Sequence, residues 1–179
     1  MNNVLGMVPE STEKKSPVII GLIPCWNRFF LDPAWSAVRL GVQELAQIAL
    51  DEFTPLYVWQ QVFSGRFQLY LAYIDRTGTA TEPKYQEMFV ERLRTPLVDF
   101  AGFFILDVMR EKAIHVFAGY IMPEYRDKNL WQIGYDYIES QVKSIGAKEL
   151  TVTMPKETLE SMKARGYDEG LLNMRKILK

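Results

Sequence analysis

At Gly65 the spacing of apolar residues changes from helical to strand-like, and this change constrains the fold more than any other feature of the chain. Before it, Trp35, Val38, Val42, Leu45 and Ile48 recur at helical spacing in a stretch opened by Asp32-Pro33. A second helix carries its own punctuation, with Thr54 as N-cap, Pro55 at the first helical position and Gly65 just past the end. Leu56, Val58, Trp59, Val62 and Phe63 give it a broad apolar face. After Gly65, Phe67 to Ile74 reads as a strand that Asp75-Arg76-Thr77-Gly78 ends. Phe100 to Met109 is apolar and aromatic enough for a central strand, and the polar turn Arg110-Glu111-Lys112 leads back into Ala113 to Met122 as a hairpin. Val18-Ile19-Ile20 is a short first strand.

The rest of the chain alternates helix and strand. Pro123 to Lys128 precedes a helix with Leu130, Ile133, Tyr137, Ile138, Gln141 and Val142 along one side and Gly146 at C′. Glu149 to Met154 is a short strand, Pro155 to Arg165 a helix and Leu171 to Leu178 a last strand. Two segments stand apart. Residues 1–16 are polar and read as a flexible arm before a single domain spanning 17–179. Residues 79–96 insert about twenty positions between two strands, a length that in a compact domain is usually functional or disordered. Their stretch Lys84 to Arg94 mixes Tyr85, Met88, Phe89 and Leu93 with Glu87, Glu91 and Arg92, as an amphipathic helix does. Such a helix either caps the core or docks on another chain.

Composition removes several classes of function. With 179 residues the chain can bury one continuous core. Its single cysteine, Cys25, allows no intrachain disulfide and no cysteine metal cluster. His115 is the one histidine, so a metal site or a Ser-His-Asp triad would have to use it, and no neighbour has ligand spacing. No metal is expected. The net charge of −1 supplies no overall attraction for nucleic acid. No apolar run reaches the roughly 20 residues of a membrane span. Residues 1–16 lack the basic start and apolar centre of a signal peptide, so the cytoplasm is the expected site of synthesis.

Three sequence words in order then carry a resemblance: Ile121-Met122-Pro123-Glu124-Tyr125-Arg126, Ile145-Gly146-Ala147-Lys148-Glu149-Leu150-Thr151-Val152, and Gly166-Tyr167 followed by Met174-Arg175-Lys176. The chain resembles the GNAT acyltransferase superfamily, which implies an α/β fold with a mixed, mostly antiparallel central sheet flanked by helices. In active members the loop after Pro-Glu-Tyr reads Arg/Gln-x-x-Gly-x-Gly/Ala, and backbone N–H groups at a helix N-terminus hold the acyl-CoA pyrophosphate there. Carried over, the loop is Arg126, Asp127, Lys128, Asn129, Leu130 and Trp131. Arg126 fills the first position. Asn129 stands in for the first glycine, a mild change because Asn tolerates a left-handed turn. Trp131 stands in for the second, where a large indole would fill the phosphate's space.

The tyrosine acid of many relatives corresponds to Met162, and the family's asparagine to Pro155. His115 is a candidate general base, against the plainer reading of a hydrogen-bonded strand residue. Trp131 reads as a core or interface aromatic, and Tyr135 and Tyr137 lie on different helix faces, so that at least one meets solvent or a partner. These departures lead to the expectation of a non-catalytic structural or interaction protein on a GNAT scaffold, with no cofactor. Phe63-Ser64-Gly65-Arg66-Phe67-Gln68-Leu69-Tyr70 further resembles GNAT-like proteins encoded in tailed-phage structural gene clusters. That likeness implies protein partners, either other phage structural proteins or a second copy, and association with the virion. The alternative is an acyltransferase that takes acetyl-CoA through a modified phosphate loop.

Overall fold

The helical pattern before Gly65 folds into α1 (Arg28–Ile48) and α2 (Pro55–Phe63), and the alternating pattern after it into β2 (Phe67–Ile74). The Thr54 side chain accepts a hydrogen bond from the Tyr57 N–H at 3.2 Å, and Gly65 turns the chain out of α2 at φ +80°. Helix α1 starts earlier than Asp32-Pro33 and carries Pro33 within it. A proline there forfeits one backbone hydrogen bond, at a cost of about 3 kcal/mol in a helix interior. Against this, Leu31 and Ala34 are fully buried, and burial of one leucine contributes roughly 1.5–3 kcal/mol. The Arg28–Asp32 pair at 3.3 Å spans the same turn.

The computed structural model describes residues 18–22, 28–48, 54–74, 99–109, 113–152, 159–169 and 174–177. The arm 1–16, the insertion 79–96 and Pro155 lie outside the described residues. The remaining elements are β1 (Val18–Leu22), β3 (Phe100–Met109), β4 (Ala113–Ile121), a 3₁₀ turn (Pro123–Lys128), α3 (Leu130–Ser144), β5 (Glu149–Val152), α4 (Leu159–Ala164), β6 (Asp168–Glu169) and β7 (Met174–Ile177). Of the expected last strand, Leu171 to Leu178, the described part is β7, and of the expected helix Pro155 to Arg165 it is α4 with Arg165.

One sheet runs β1-β2-β3-β4-β5-β7-β6. Its pairs are antiparallel except β4 with β5, which run parallel from Ala113 opposite Glu149 to Val116 opposite Val152. Alternation sorts β2 between two cores. Phe67, Leu69, Leu71 and Tyr73 face α1 and α2, while Tyr70, Ala72 and Ile74 face α3 and α4. Both faces are covered, which is why β2 and β3 read as near-continuous apolar runs.

Two features of β4 set up the site. Ile105 pairs with Ala118 and Leu106 with Val116, so Phe117 is an extra, bulged residue. A bulge inverts the alternation. Ile114 and Val116 before it, and Ile121 after it, face the α3 side, while Phe117, Ala118 and Tyr120 face α1. The bulge follows directly on the last described pairing of β4 with β5, Val116 opposite Val152, and β4 continues through Ile121.

Candidate functional site

The described residues of the expected phosphate loop make separate contacts. Asn129 adopts the left-handed conformation that the family's glycine implies, with φ 59° and ψ 21°. As N-cap of α3 it makes no side-chain cap hydrogen bond, and the first described N–H bond of the helix runs from Ile133 to the Asn129 carbonyl at 3.2 Å. The N–H groups of the first turn, which no helical carbonyl satisfies, are therefore uncapped by this side chain. Leu130 is buried and anchors the helix in the second core. Asp127 and Lys128 belong to the 3₁₀ turn.

Arg126 points elsewhere. Its Nε donates to the Ile121 carbonyl at 3.1 Å, its guanidinium lies over the Tyr120 ring at 5.8 Å, and its Nη2 stands 3.8 Å from Glu44 of α1. Trp131 is 38% exposed and lies along β4, in an edge-on contact with Phe104 and stacked on Tyr135. Gly119 makes this position possible: a Cβ there would come within 2.7 Å of the indole. The aromatic that replaces a loop glycine is thus seated on a glycine in the neighbouring strand. It is both a packing residue and a surface residue.

Beyond the last β5 pairing, the edge of β4 borders a cavity of about 210 Å³ lined by Glu44, Leu45, Gly119, Tyr120, Ile121, Arg126 and Trp131. It joins the α1 side of the sheet to the start of α3. The Tyr120 hydroxyl donates to Glu44 Oε2 at 2.8 Å. Burial, reinforced by that bond and the Glu44 charge, pushes the Tyr120 pKa up to about 12, so this phenol is a fixed donor near neutrality.

His115 sits one register position before the last described β4–β5 pair, half-buried, with Nδ1 2.8 Å from Thr151 Oγ1. Asp107 is its partner across β3 and is itself paired with Arg66 at 3.5 Å. Burial lowers the His115 pKa and outweighs the opposing effects of Asp107 and Thr151. The imidazole is therefore held neutral, as a base requires, but it does not line the cavity. The lowered value has a stability consequence. An unfolded histidine binds its proton near pH 6.5 and the folded one only at lower pH, so this contribution is complete above about 6.5 and is lost as pH falls through the folded value. Melting curves between pH 7.5 and 5.5 are expected to fall less steeply for His115→Asn than for the wild type. Equal slopes would remove His115 as the cause.

The other expected positions belong to the core. Met162, at the tyrosine-acid position, is 3% exposed and packs against the second cluster. Tyr135 and Tyr137 are both partly buried and pack on that cluster, Tyr137 against Tyr70. Helix α3 lies low enough on the sheet to press two sides into it. Among the described residues, no group of His, Cys, Asp and Glu could hold a metal ion, and no helix is long and apolar enough to cross a membrane.

Sequence reasoning missed Glu44, Tyr120, Gly119 and the bulge at Phe117. Glu44 is one polar residue among several on α1, and nothing local marks it. The bulge did leave a trace, in the parity change from Ile114 and Val116 to Gly119 and Ile121.

No protein-family model and no curated protein matches the chain. Solved structures do. The PaiA N-acetyltransferase of Thermoplasma acidophilum, in complex with coenzyme A, aligns with TM-score 0.57 and 12% identity over 90% of this chain and 99% of that one. A GNAT-family acetyltransferase of Staphylococcus aureus aligns with TM-score 0.56 and 9% identity over 91% and 100%. The ribosomal-protein-S18-alanine N-acetyltransferase of Escherichia coli gives TM-score 0.53 and 10% identity over 91% and 95%. At such identities the likeness is one of fold, and it extends over nearly the whole of each chain. With its parallel β4–β5 pair in an otherwise antiparallel sheet and its α1–α2 layer, this chain has the GNAT N-acyltransferase fold.

Proposed function

We propose that the protein is an acyl-CoA-dependent N-acyltransferase in which the backbone at the start of α3, and not the Arg126 side chain, holds the pyrophosphate. The observation that carries this reading is the uncapped N-terminus of α3, with Asn129 in the left-handed conformation. Helix N-termini of this kind favour anions through their N–H groups and dipole. When bound, the cofactor supplies an activated thioester. The open edge of β4 offers it a channel, and the bulge at Phe117 leaves backbone groups outside the sheet ladder. The α1 side of the same edge, with Glu44 and Tyr120, would receive the amine.

Calorimetric titration with acetyl-CoA tests this. Saturable binding in the micromolar range is expected. Asn129→Asp keeps the left-handed turn accessible but sets a carboxylate at the helix N-terminus. It is expected to weaken acetyl-CoA binding at least tenfold without lowering Tm, because the same charge favours the helix itself. The absence of saturable binding up to millimolar acetyl-CoA would end the reading.

The second reading is a non-catalytic interaction protein, including the phage particle component that the family likeness implies. Met162 buried at the acid position and Trp131 at the glycine position favour it. It predicts no response to acetyl-CoA in the same titration, and none in Trp131→Gly.

A further inference from the structure

The cavity beside β4 is lined by two opposite charges, Glu44 and Arg126, both about half exposed, and by apolar side chains. Glu44 Oε2 accepts from Tyr120 at 2.8 Å, while its Oε1 has no hydrogen-bond partner among the described residues. Arg126 commits Nε to the Ile121 carbonyl and rests its guanidinium on the Tyr120 ring, where it also acts on the Tyr120 hydroxyl. Arg126 Nη2 and Glu44 Oε2 are 3.8 Å apart, beyond hydrogen-bond reach, with side chains 52% and 53% exposed. Such a pair attracts weakly and saturates neither partner. Tyr120, 4% exposed, pins both groups from beneath, so their orientation is set before any ligand arrives.

We propose that this cavity binds a small zwitterion, namely a free α-amino acid with an apolar side chain, its ammonium on Glu44 and its carboxylate on Arg126. A ligand with a single charge would match one head group and leave the other facing only water or the apolar wall. An ammonium and a carboxylate on one carbon match both, and Leu45, Ile121 and Trp131 offer the side chain an apolar surface. The size agrees: about 210 Å³ is below the roughly 300–1,000 Å³ of sites for drug-sized ligands. The role of this amino acid as acyl acceptor rests on the acyltransferase reading; its binding does not.

The experiment is calorimetry with L-leucine as the probe, in the presence and absence of coenzyme A. Saturable binding is expected. Glu44→Gln and Arg126→Gln, each checked for folding by circular dichroism, are expected to weaken it at least tenfold. Glu44→Gln retains an acceptor for the Tyr120 hydroxyl, so its loss reports charge and not collapse of the pocket. Leucine methyl ester, which lacks the carboxylate, and isoamylamine and 4-methylpentanoate, which carry one charge each, are expected to bind at least tenfold more weakly than leucine. The proposal is overturned by the absence of leucine binding under both conditions, by isoamylamine binding as tightly as leucine, or by unchanged affinity in Glu44→Gln. Leucine binding without acetyl-CoA binding would support the amino-acid site and remove the acyltransferase reading; the converse would do the opposite.

Discussion

Gly102→Ala is expected to destabilise the protein by at least about 3 kcal/mol, the upper part of the range for overpacking in a core. For a chain of this size that corresponds to a fall in Tm of about 6–12 °C. A Cβ at this position would lie 2.1 Å from the Tyr120 carbonyl oxygen, and 3.1 Å from the Ile121 Cα. These are backbone atoms of the adjacent central strand, so no rotamer change relieves the clash. The close approach is local. Beside Gly102 the register of β2 against β3 shifts at Ala72/Tyr73, and the Ala101 carbonyl accepts from the Met122 N–H at 2.9 Å. Glycine inside a strand commonly marks such an approach of another backbone. The flanking Phe103 and Phe104 are fully buried on opposite faces, which leaves β4 as the element that must move. Its end carries Tyr120 and Ile121 into the cavity, so leucine affinity should fall with Tm. A Tm within 2 °C of wild type, checked by thermal melts, would show that β3 and β4 do not approach this closely.

The second large effect is expected at Glu139. Arg165, after α4, donates to Asp136 at 2.7 Å and to Glu139 at 3.1 Å, and the Tyr167 hydroxyl donates to the same Glu139 oxygen at 3.1 Å. Burial alone would lower the Arg165 pKa; the hydrogen bonds and charges of Asp136 and Glu139 more than reverse it. The side chains of Arg165 and Glu139 are 11% and 12% exposed, so this is a nearly buried pair that fastens the α4 turn to α3. Removing one member of such a pair strands the other. Glu139→Ala is expected to cost about 3 kcal/mol, the low end of the range because Asp136 still meets the guanidinium. Glu139→Gln should cost less, since it retains an acceptor for Tyr167. The double variant Glu139→Met/Arg165→Met should recover most of the loss, as apolar replacement of a buried pair often does. Denaturant melts of the four proteins decide the matter. Equal losses in Glu139→Ala and Glu139→Gln, with no recovery in the double variant, would mean that packing and not charge holds the turn.

Much of the fold was legible before any coordinates. The N-cap Thr54, the glycines at 65 and 146 and the strands Phe67 to Ile74 and Phe100 to Met109 announce themselves through local chemistry, because caps and alternation act over a few residues. Helix α1 was read too short at its start. Pro33 argues locally for a helix beginning there, whereas burial of Leu31 and Ala34 against the sheet is a tertiary effect of comparable size. The contacts of the expected loop residues are not legible in the sequence. Arg126 was placed in a phosphate loop by its position in a sequence word, yet its nearest partners are Ile121, Tyr120 and Glu44. Trp131 was read as filling the loop, but it leans on Gly119, twelve positions earlier in the chain and on another element.

The change of period at Gly65 and the order of the elements, by themselves, determined the helical layer, the strands and the outline of the fold. These depend on which faces are apolar, and adjacent residues encode that. Only the tertiary structure decided that β4 bulges at Phe117, and that Glu44, Tyr120 and Arg126 meet around one cavity. The physical reason is separation: Glu44 and Tyr120 lie 76 residues apart, and their hydrogen bond exists because α1 packs across the sheet against β4.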